Sequence, residues 1–582
     1  VRRGRAVEPV DRRVDGSFEI AAGEAAEGSL VRAEFLPRRG GGTWGPTQVR
    51  ILEDLGPAEG PRAASRMALA LHAVPTAIPE AAEAEAARAR GVRPGGRENL
   101  RDIPLVTIDG ADARDFDDAV FAEATPSGHR LIVAIADVAH YVRPGSALDA
   151  MARERGNSVY FPDLVVPMLP EALSNHWCSL RPGEPRGCLF VEMTIDAAGN
   201  KTGHRFGRGI MSSHARLTYE EAQRLALAGS DPRVSSLFAA WRALEKSREK
   251  RGALDLDLPE REALMAEEGG VLEIRHRERL DSHRVIEAFM VLANVAAAEE
   301  LTQRRAPCVF RVHAPPSPEK LDALREVLKG FDMSLPPGNR LHPRDLDRAL
   351  RRANTLPEAP LIHETVLRSL SRAEYAVENI GHFGLALAAY AHFTSPIRRY
   401  ADLLVHRALI ATLGFGDDGA ASGAEWEAIA QHITLAERRA ALAERDAMDR
   451  LLAAYLSQQV GAVFPARISG VTRAGIFVTL IANGASGLLP MSSLPQDYYR
   501  LDEATQSLVG QRTQRRFRLA DRLDVVLAQA IPLTGTLNFA IAATDGEPAP
   551  RETPRTDVPP ETPGAAPRSR HGKRWGSRRG RT

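Results

Sequence analysis

"TIDGADARDFDDAV", residues 107–120, places Asp109, Asp112, Asp115, Asp117 and Asp118 directly behind the apolar stretch Ile103–Ile108. That stretch reads as a buried strand, so the turn that leaves it must hold like charges at close quarters. Neighbouring carboxylates raise one another's pKa, and such a loop is either well solvated or offset by cations. A polar turn accounts for two aspartates beside a glycine, and five strain it. An EF-hand loop also fails. Counted from Asp109, positions three, five and six are Ala111, Ala113 and Arg114, where that loop needs two further ligands and a glycine. Hard carboxylate oxygens clustered on a loop suit Mg2+ held with waters and substrate phosphate oxygens. Phosphodiester hydrolysis is therefore the leading chemistry.

A site of that kind needs a cation against the charge that develops on the phosphorane. "HFTSPIRRYADLLVHR", residues 392–407, offers Arg398 and Arg399 between Pro396, which favours a turn or helix start, and a helix-like run from Tyr400. A helix N-terminus with two guanidiniums is a good phosphate seat. Taken alone, two arginines on a solvated helix face explain the stretch equally well.

Outward from these two stretches, the chain of 582 residues is too long for one core and is expected to hold about three to five domains. Its 44% hydrophobic and 26% charged residues match ordinary globular proteins. Cys178, Cys188 and Cys308 show no CxxC pairing and no histidine at zinc-ligand spacing, and read as reduced packing residues. No run of about 18 apolar residues occurs, and the start "VRRGRAVEPV" lacks the apolar core of a signal peptide. A cytoplasmic protein without membrane association is the expectation. The first residue is Val, so a missing N-terminal region is expected as well.

Residues 1–56 carry short β-like pieces such as "SLVRAEFL" and "TQVRILEDL" between Gly-rich turns, which suits a small β-barrel. Residues 57–100 are an Ala-rich helical linker broken by "GVRPGGREN". Strands and helices mix over 101–458, with long helical patterns at 283–302 and 431–458. Short β-branched strands punctuated by Gly return over 459–543, as in a second barrel. Residues 544–582 are Pro-rich and end in "RSRHGKRWGSRRGRT", seven Arg or Lys with no acid. They lack the apolar content for a core and read as a disordered basic tail.

The ordered set "TIDGADARDFDDAV", "VAIADVAHYV", "SVYFPDLVVPMLPEALSN", "HRVIEAFMVLAN", "FRVH" and "GHFGLALAAYAHFTSPIRRYADLLVHR" resembles the RNB family of exoribonucleases over residues 1 to about 545. The resemblance implies an α+β multidomain fold. Its parts are an N-terminal cold-shock (OB-type) β-barrel, a central mixed α/β RNB catalytic domain and a C-terminal S1 (OB-type) β-barrel. It further implies processive, Mg2+-dependent 3′-to-5′ hydrolysis of RNA to nucleoside 5′-monophosphates by a monomer. The substrates implied are single-stranded 3′ ends and structured RNA with a 3′ overhang.

By the same resemblance Asp109, Asp115, Asp117 and Asp118 are catalytic, metal-holding carboxylates, with Asp117 the most sensitive, whereas Asp112 is a loop residue. Tyr160 in "SVYFPD" matches the aromatic that stacks near the 3′-terminal nucleotide, against the plain alternative of a core tyrosine. Glu287 falls where the family contacts that nucleotide. Arg398 is favoured over Arg399 as the phosphate contact. Two departures concern stacking. In "TRAGIFV" Ala474 and Ile476 stand where Phe is common, which leaves Phe477 to bind RNA, and Leu256 takes the place of an aromatic behind the terminal bases. A branch of the family limited to single strands is one rival. A non-catalytic RNA-binding regulator is another, disfavoured because all four carboxylates are kept.

Overall fold

The apolar run ahead of the acidic loop becomes the strand Val106–Asp109, buried up to its last residue. In this computed structural model the described residues are 1, 5–11, 14, 16–37, 47–254, 261–266, 270–338, 341–356, 359–416, 425–502 and 507–542. Leu256 and the basic tail lie outside them.

Val106–Asp109 sits inside a seven-stranded sheet. The order is Ala215–Thr218, Val106–Asp109, Asp118–Thr125, Gly128–Ala136, Pro185–Asp196, Lys201–Ser212 and Glu98–Asn99. Val106 pairs antiparallel with Val120, whereas Ala215–Thr218 runs parallel to Val106–Asp109 with Thr218 opposite Asp109. Both Leu131–Ala136 and Arg186–Val191 are buried without alternation, the pattern of strands covered on both faces. The helices Pro232–Arg251, Asp281–Gln303 and Tyr400–Leu413 share this core, through residues such as Leu237, Phe289 and Leu404. A buried ion group lies with them. Burial alone would raise the pKa of Asp137, but Arg208 at 2.7 Å and Arg97 at 2.6 Å hold it down to about 2. An ion group so enclosed fixes the end of its strand, because separating either partner would strand a buried charge.

The N-terminal β region is a four-stranded sheet of Ala6–Val7, Phe18–Ala22, Gln48–Pro57 and Ser29–Phe35, in that order, consistent with the cold-shock expectation. The helices Ala63–Leu71 and Glu80–Ala87 follow it where the linker was read. At the other end Val463–Thr472, Gly475–Leu480, Ser486–Pro490, Thr536–Ile541 and Arg522–Ile531 close into a barrel around Ile468, Ile476, Leu489 and Phe539. A three-stranded sheet of Tyr499–Asp502, Ser507–Gly510 and Arg516–Arg518 lies between two of its strands in the chain.

The 32-residue helix Trp426–Ser457 ties these parts together. Its Ala440, Ala443 and Ala447 pack with Ala68, Leu69, Val159 and Phe161, and its Leu452 and Leu456 enter the barrel core. Small alanines on one stretch and leucines on the next let the same helix meet a close neighbour and then fill a barrel end. The helices Pro318–Lys329, Pro343–Ala353 and Ala359–Ser369 build a further core around Leu324, Leu328, Leu350 and Ile362, a unit the sequence reading left within the mixed block. Among the described residues no helix is long and apolar enough to cross a membrane.

Candidate active site

Because the strands on either side of it run antiparallel, the acidic loop doubles back and sets Asp109, which ends one strand, beside Asp118, which starts the next. Its backbone is pinned at several points. The Ser179 hydroxyl accepts from the Phe116 N–H at 3.1 Å and donates to the Arg114 carbonyl at 2.8 Å. Arg216 donates to the carbonyls of Gly110 and Ala111 at 2.5 and 2.9 Å. The Asp117 carbonyl accepts from the Ala136 N–H at 2.9 Å. These bonds hold the carboxylates together against their repulsion.

Asp117 is 4% exposed. Its Oδ1 accepts from the Ile397 N–H at 2.9 Å, while its Oδ2 is buried without a hydrogen-bond partner and stands 3.8 Å from Arg398 Nε. Burial pushes the Asp117 pKa well above the usual carboxylate range, more than Arg398 and the Ile397 amide pull it down. Burial, with Asp118 and Asp115 adding to it, raises Asp109 to about 8, and burial raises Asp118 to about 6 despite Arg398. A buried orphan oxygen among carboxyls that all resist ionisation marks a place short of positive charge. Among the described residues no three acidic, His or Cys side chains already stand in metal-gripping positions. The donors themselves, hard oxygens with one lone pair set unspent, fit a divalent cation of the Mg2+ kind.

The two arginines take different tasks. Arg399 closes a two-point pair with Asp402, Nε and a terminal nitrogen each 2.8 Å from its oxygens, and Asp402 also accepts from the Ser395 N–H at 2.8 Å. That pair sets the start of the helix Tyr400–Leu413. Arg398 donates to the Ser395 hydroxyl at 3.0 Å and keeps 44% of its side chain exposed beside Asp117. Its guanidinium is the one of the two that faces the acidic group.

Tyr160 donates its hydroxyl to Asp115 at 3.1 Å, and its N–H donates to Glu444 of the long helix at 2.9 Å. The residue is 39% exposed, unlike a core tyrosine. A cavity of about 1480 Å3 is lined by Gly110–Asp115 together with Tyr160, Arg277 and His283. Asp112 is exposed on its wall. Glu287 lies one helical turn beyond His283, pairs with Arg279 at 2.5 Å and lines a different cavity. Phe477 is 42% exposed on the barrel, far from these residues in sequence, and the neighbouring Ile476 points into the barrel core.

Further participants lie outside the sequence expectations. Tyr219 feels the charges of Asp118 and Asp109, which with burial raise its pKa, and it stacks on His283 with ring centroids 4.0 Å apart. Arg216 and the Ile397 amide hold the loop. The signal available for Tyr219 was "RLTYEEA", where Thr218 and Glu221 form a capping box that places the next residue at a helix start, at the end of the strand beside Asp109.

Residues 97–414 match the RNB domain. The chain belongs to the RNB family. Residues 457–516 match the S1 RNA binding domain, and the barrel seen here continues past that match to Ile541. Among relatives within the RNB family, ribonuclease R of Escherichia coli is 41% identical over 554 residues, 91% of this chain and 67% of that protein. The chain spans about two thirds of the length of the ribonuclease R relatives it matches first. Mycoplasma genitalium RNase R in complex with ribose methylated single-stranded RNA is similar at a TM-score of 0.85 and 26% identity, over 93% of this chain and 89% of that one. The same enzyme in complex with double-stranded RNA is similar at 0.79 and 25%, over 90% and 92%. The acidic loop lies within the residues that match the RNB domain.

Proposed function

We propose that this protein is a monomeric, cytoplasmic exoribonuclease of the ribonuclease R type. It hydrolyses RNA processively from the 3′ end to nucleoside 5′-monophosphates with Mg2+. The observation that carries the reading is the buried Oδ2 of Asp117, which accepts no hydrogen bond, within the carboxyl group of Asp109 and Asp118 and faced by Arg398. The likeness to an RNase R solved with double-stranded RNA supports structured RNA as a substrate.

Asp109, Asp115, Asp117 and Asp118 would hold Mg2+, which when bound supplies an activated water and polarises the scissile phosphate. The protein's own side chains do the rest. Arg398 lies where it can offset the negative charge that builds on the phosphoryl oxygens as water adds and the bond to the preceding 3′ oxygen breaks. The 5′ phosphate stays on the departing nucleotide. Tyr160, hung from Glu444 and Asp115, presents its ring as a stacking surface for a terminal base and fixes its distance from the carboxylates. His283, stacked on Tyr219, lines the same cavity as a second aromatic surface. Phe477 offers one stacking platform on the barrel, where the family pattern has more, so binding there leans on charge.

A hairpin RNA with a 3′ overhang, incubated with and without Mg2+ and resolved on a gel, tests the proposal. Full conversion to 5′-monophosphates with Mg2+ is expected. Trimming that stops at the duplex would place the protein with the single-strand branch, and binding without any cleavage would make it a non-catalytic regulator.

Tyr160 gives a separate check. Tyr160→Ala is expected to lengthen the final product by a few nucleotides, because fewer bases stay clamped beside the carboxylates. Tyr160→Phe keeps the ring and loses only the bond to Asp115, so product length should hold while the rate falls. Identical product ladders for wild type and Tyr160→Ala would return this residue to a packing role.

A further inference from the structure

A second cavity, of about 590 Å3, runs beside the helix Asp281–Gln303 and has no part in the chemistry above. Its volume falls among those of small-molecule sites, about 300–1,000 Å3. One wall is apolar, made by Leu244, Val291, Val295 and Leu385. The rest is charged, and most of that charge is paired. Lys201 meets Glu299, Arg248 meets Glu245 at 2.8 Å, and Arg279 meets Glu287 at 2.5 Å. His204 meets Glu300 at 3.1 Å.

Two guanidiniums are left over. Arg251 donates Nε to the Leu385 carbonyl at 3.0 Å, and among the described residues neither Arg251 nor Arg284 makes a direct ion pair with a carboxylate. Burial lowers the pKa of Arg251 and the neighbouring Arg248 lowers it further, against a smaller opposing pull from Glu245. Half-buried guanidiniums that make no direct ion pair are stabilised when an anion arrives.

The cavity also has a neighbour. Leu280 and His283, at the start of the helix, line the acidic-loop cavity, whereas Arg279 and Arg284 line this one. The first turns of one helix therefore wall both.

We propose that this cavity binds a nucleoside 5′-monophosphate, its phosphate on Arg251 and Arg284 and its base against the apolar wall, so that released product lodges there on its way out. The identity of the ligand as product rests on the function proposed above. The binding itself does not.

Titration calorimetry with AMP, in EDTA and without RNA, measures the binding. Wild type and Asp117→Asn are expected to bind AMP alike. Arg284→Met and Arg251→Met are each expected to weaken it by about tenfold, as loss of a charge-assisted contact does. Inorganic phosphate and adenosine, each lacking half of the ligand, are expected to bind more weakly than AMP. With RNA and Mg2+, Arg284→Met is expected to match wild type when product is removed and to resist inhibition by added AMP.

Thermal melting confirms that each variant is folded, and Val291→Trp, which fills the apolar wall without touching a charge, gives an independent loss of AMP binding. Loss of AMP binding in Asp117→Asn with retention in Arg284→Met, or equal affinity for phosphate and AMP, would overturn the assignment. If wild type releases no monophosphates from RNA, the proposed function falls, and the AMP titration still decides the cavity.

Discussion

Asp117→Asn is expected to lower RNA hydrolysis by about a thousandfold or more while RNA binding stays intact. The amide keeps the shape of the side chain and its oxygen still accepts from the Ile397 N–H, so the loop retains its anchor. What changes is the second oxygen, buried and without a hydrogen-bond partner, which becomes a nitrogen that cannot hold a cation. The same change removes a carboxyl that burial holds far from its ordinary pKa. The melting temperature is therefore expected to stay equal or rise, as happens when a site strained for function is relaxed. Single-turnover cleavage, fluorescence anisotropy with RNA in EDTA, and thermal melting read the three quantities separately. Activity within a few-fold of wild type would remove Asp117 from the site, and parallel loss of binding and melting cooperativity would mean a folding defect.

Arg398→Ala and Arg399→Ala, adjacent in sequence, are expected to fail in different ways. Removing Arg398 takes away a half-exposed guanidinium beside Asp117, so kcat should fall by about a hundredfold with little change in melting. Removing Arg399 leaves Asp402, fully buried, with the Ser395 amide and no counterion. Breaking such a pair costs about 3–5 kcal/mol, and the loss of activity should track the loss of folded protein. Denaturant melts beside kcat on the folded fraction separate the two. An Arg399→Ala variant that melts like wild type yet is inactive, with an active Arg398→Ala, would exchange their roles.

The contrast between these arginines shows where reading the chain from residues alone stops. The acidic loop was legible because five aspartates behind an apolar strand have few explanations, and the long helices were legible because their apolar spacing persists over many turns. The structure begins and ends those helices within a few residues of the expected bounds, at Asp281–Gln303 and Trp426–Ser457. Which of Arg398 and Arg399 faces the loop depends on a carboxylate three residues on, Asp402, whose direction no local pattern encodes. Glu287 lies on the expected helix, where it pairs with Arg279 from the segment before the helix and lines the second cavity. Tyr219 was missed because a tyrosine after a capping threonine reads as a helix start, and its proximity to Asp109 arises from a parallel strand pair more than a hundred residues apart.

The amide that holds Asp117 belongs to Ile397, 280 residues further along the chain, and the carboxylate that holds Tyr160 belongs to Glu444, 284 residues from it. During synthesis, at about 5–20 residues per second, the acidic loop therefore leaves the ribosome many seconds before either partner exists. A nascent chain, or one cut short before residue 397, carries all four aspartates and lacks the backbone that orders them. Ordering of the acidic loop therefore waits until the chain has been made through Ile397, and the support of Tyr160 until it has been made through Glu444.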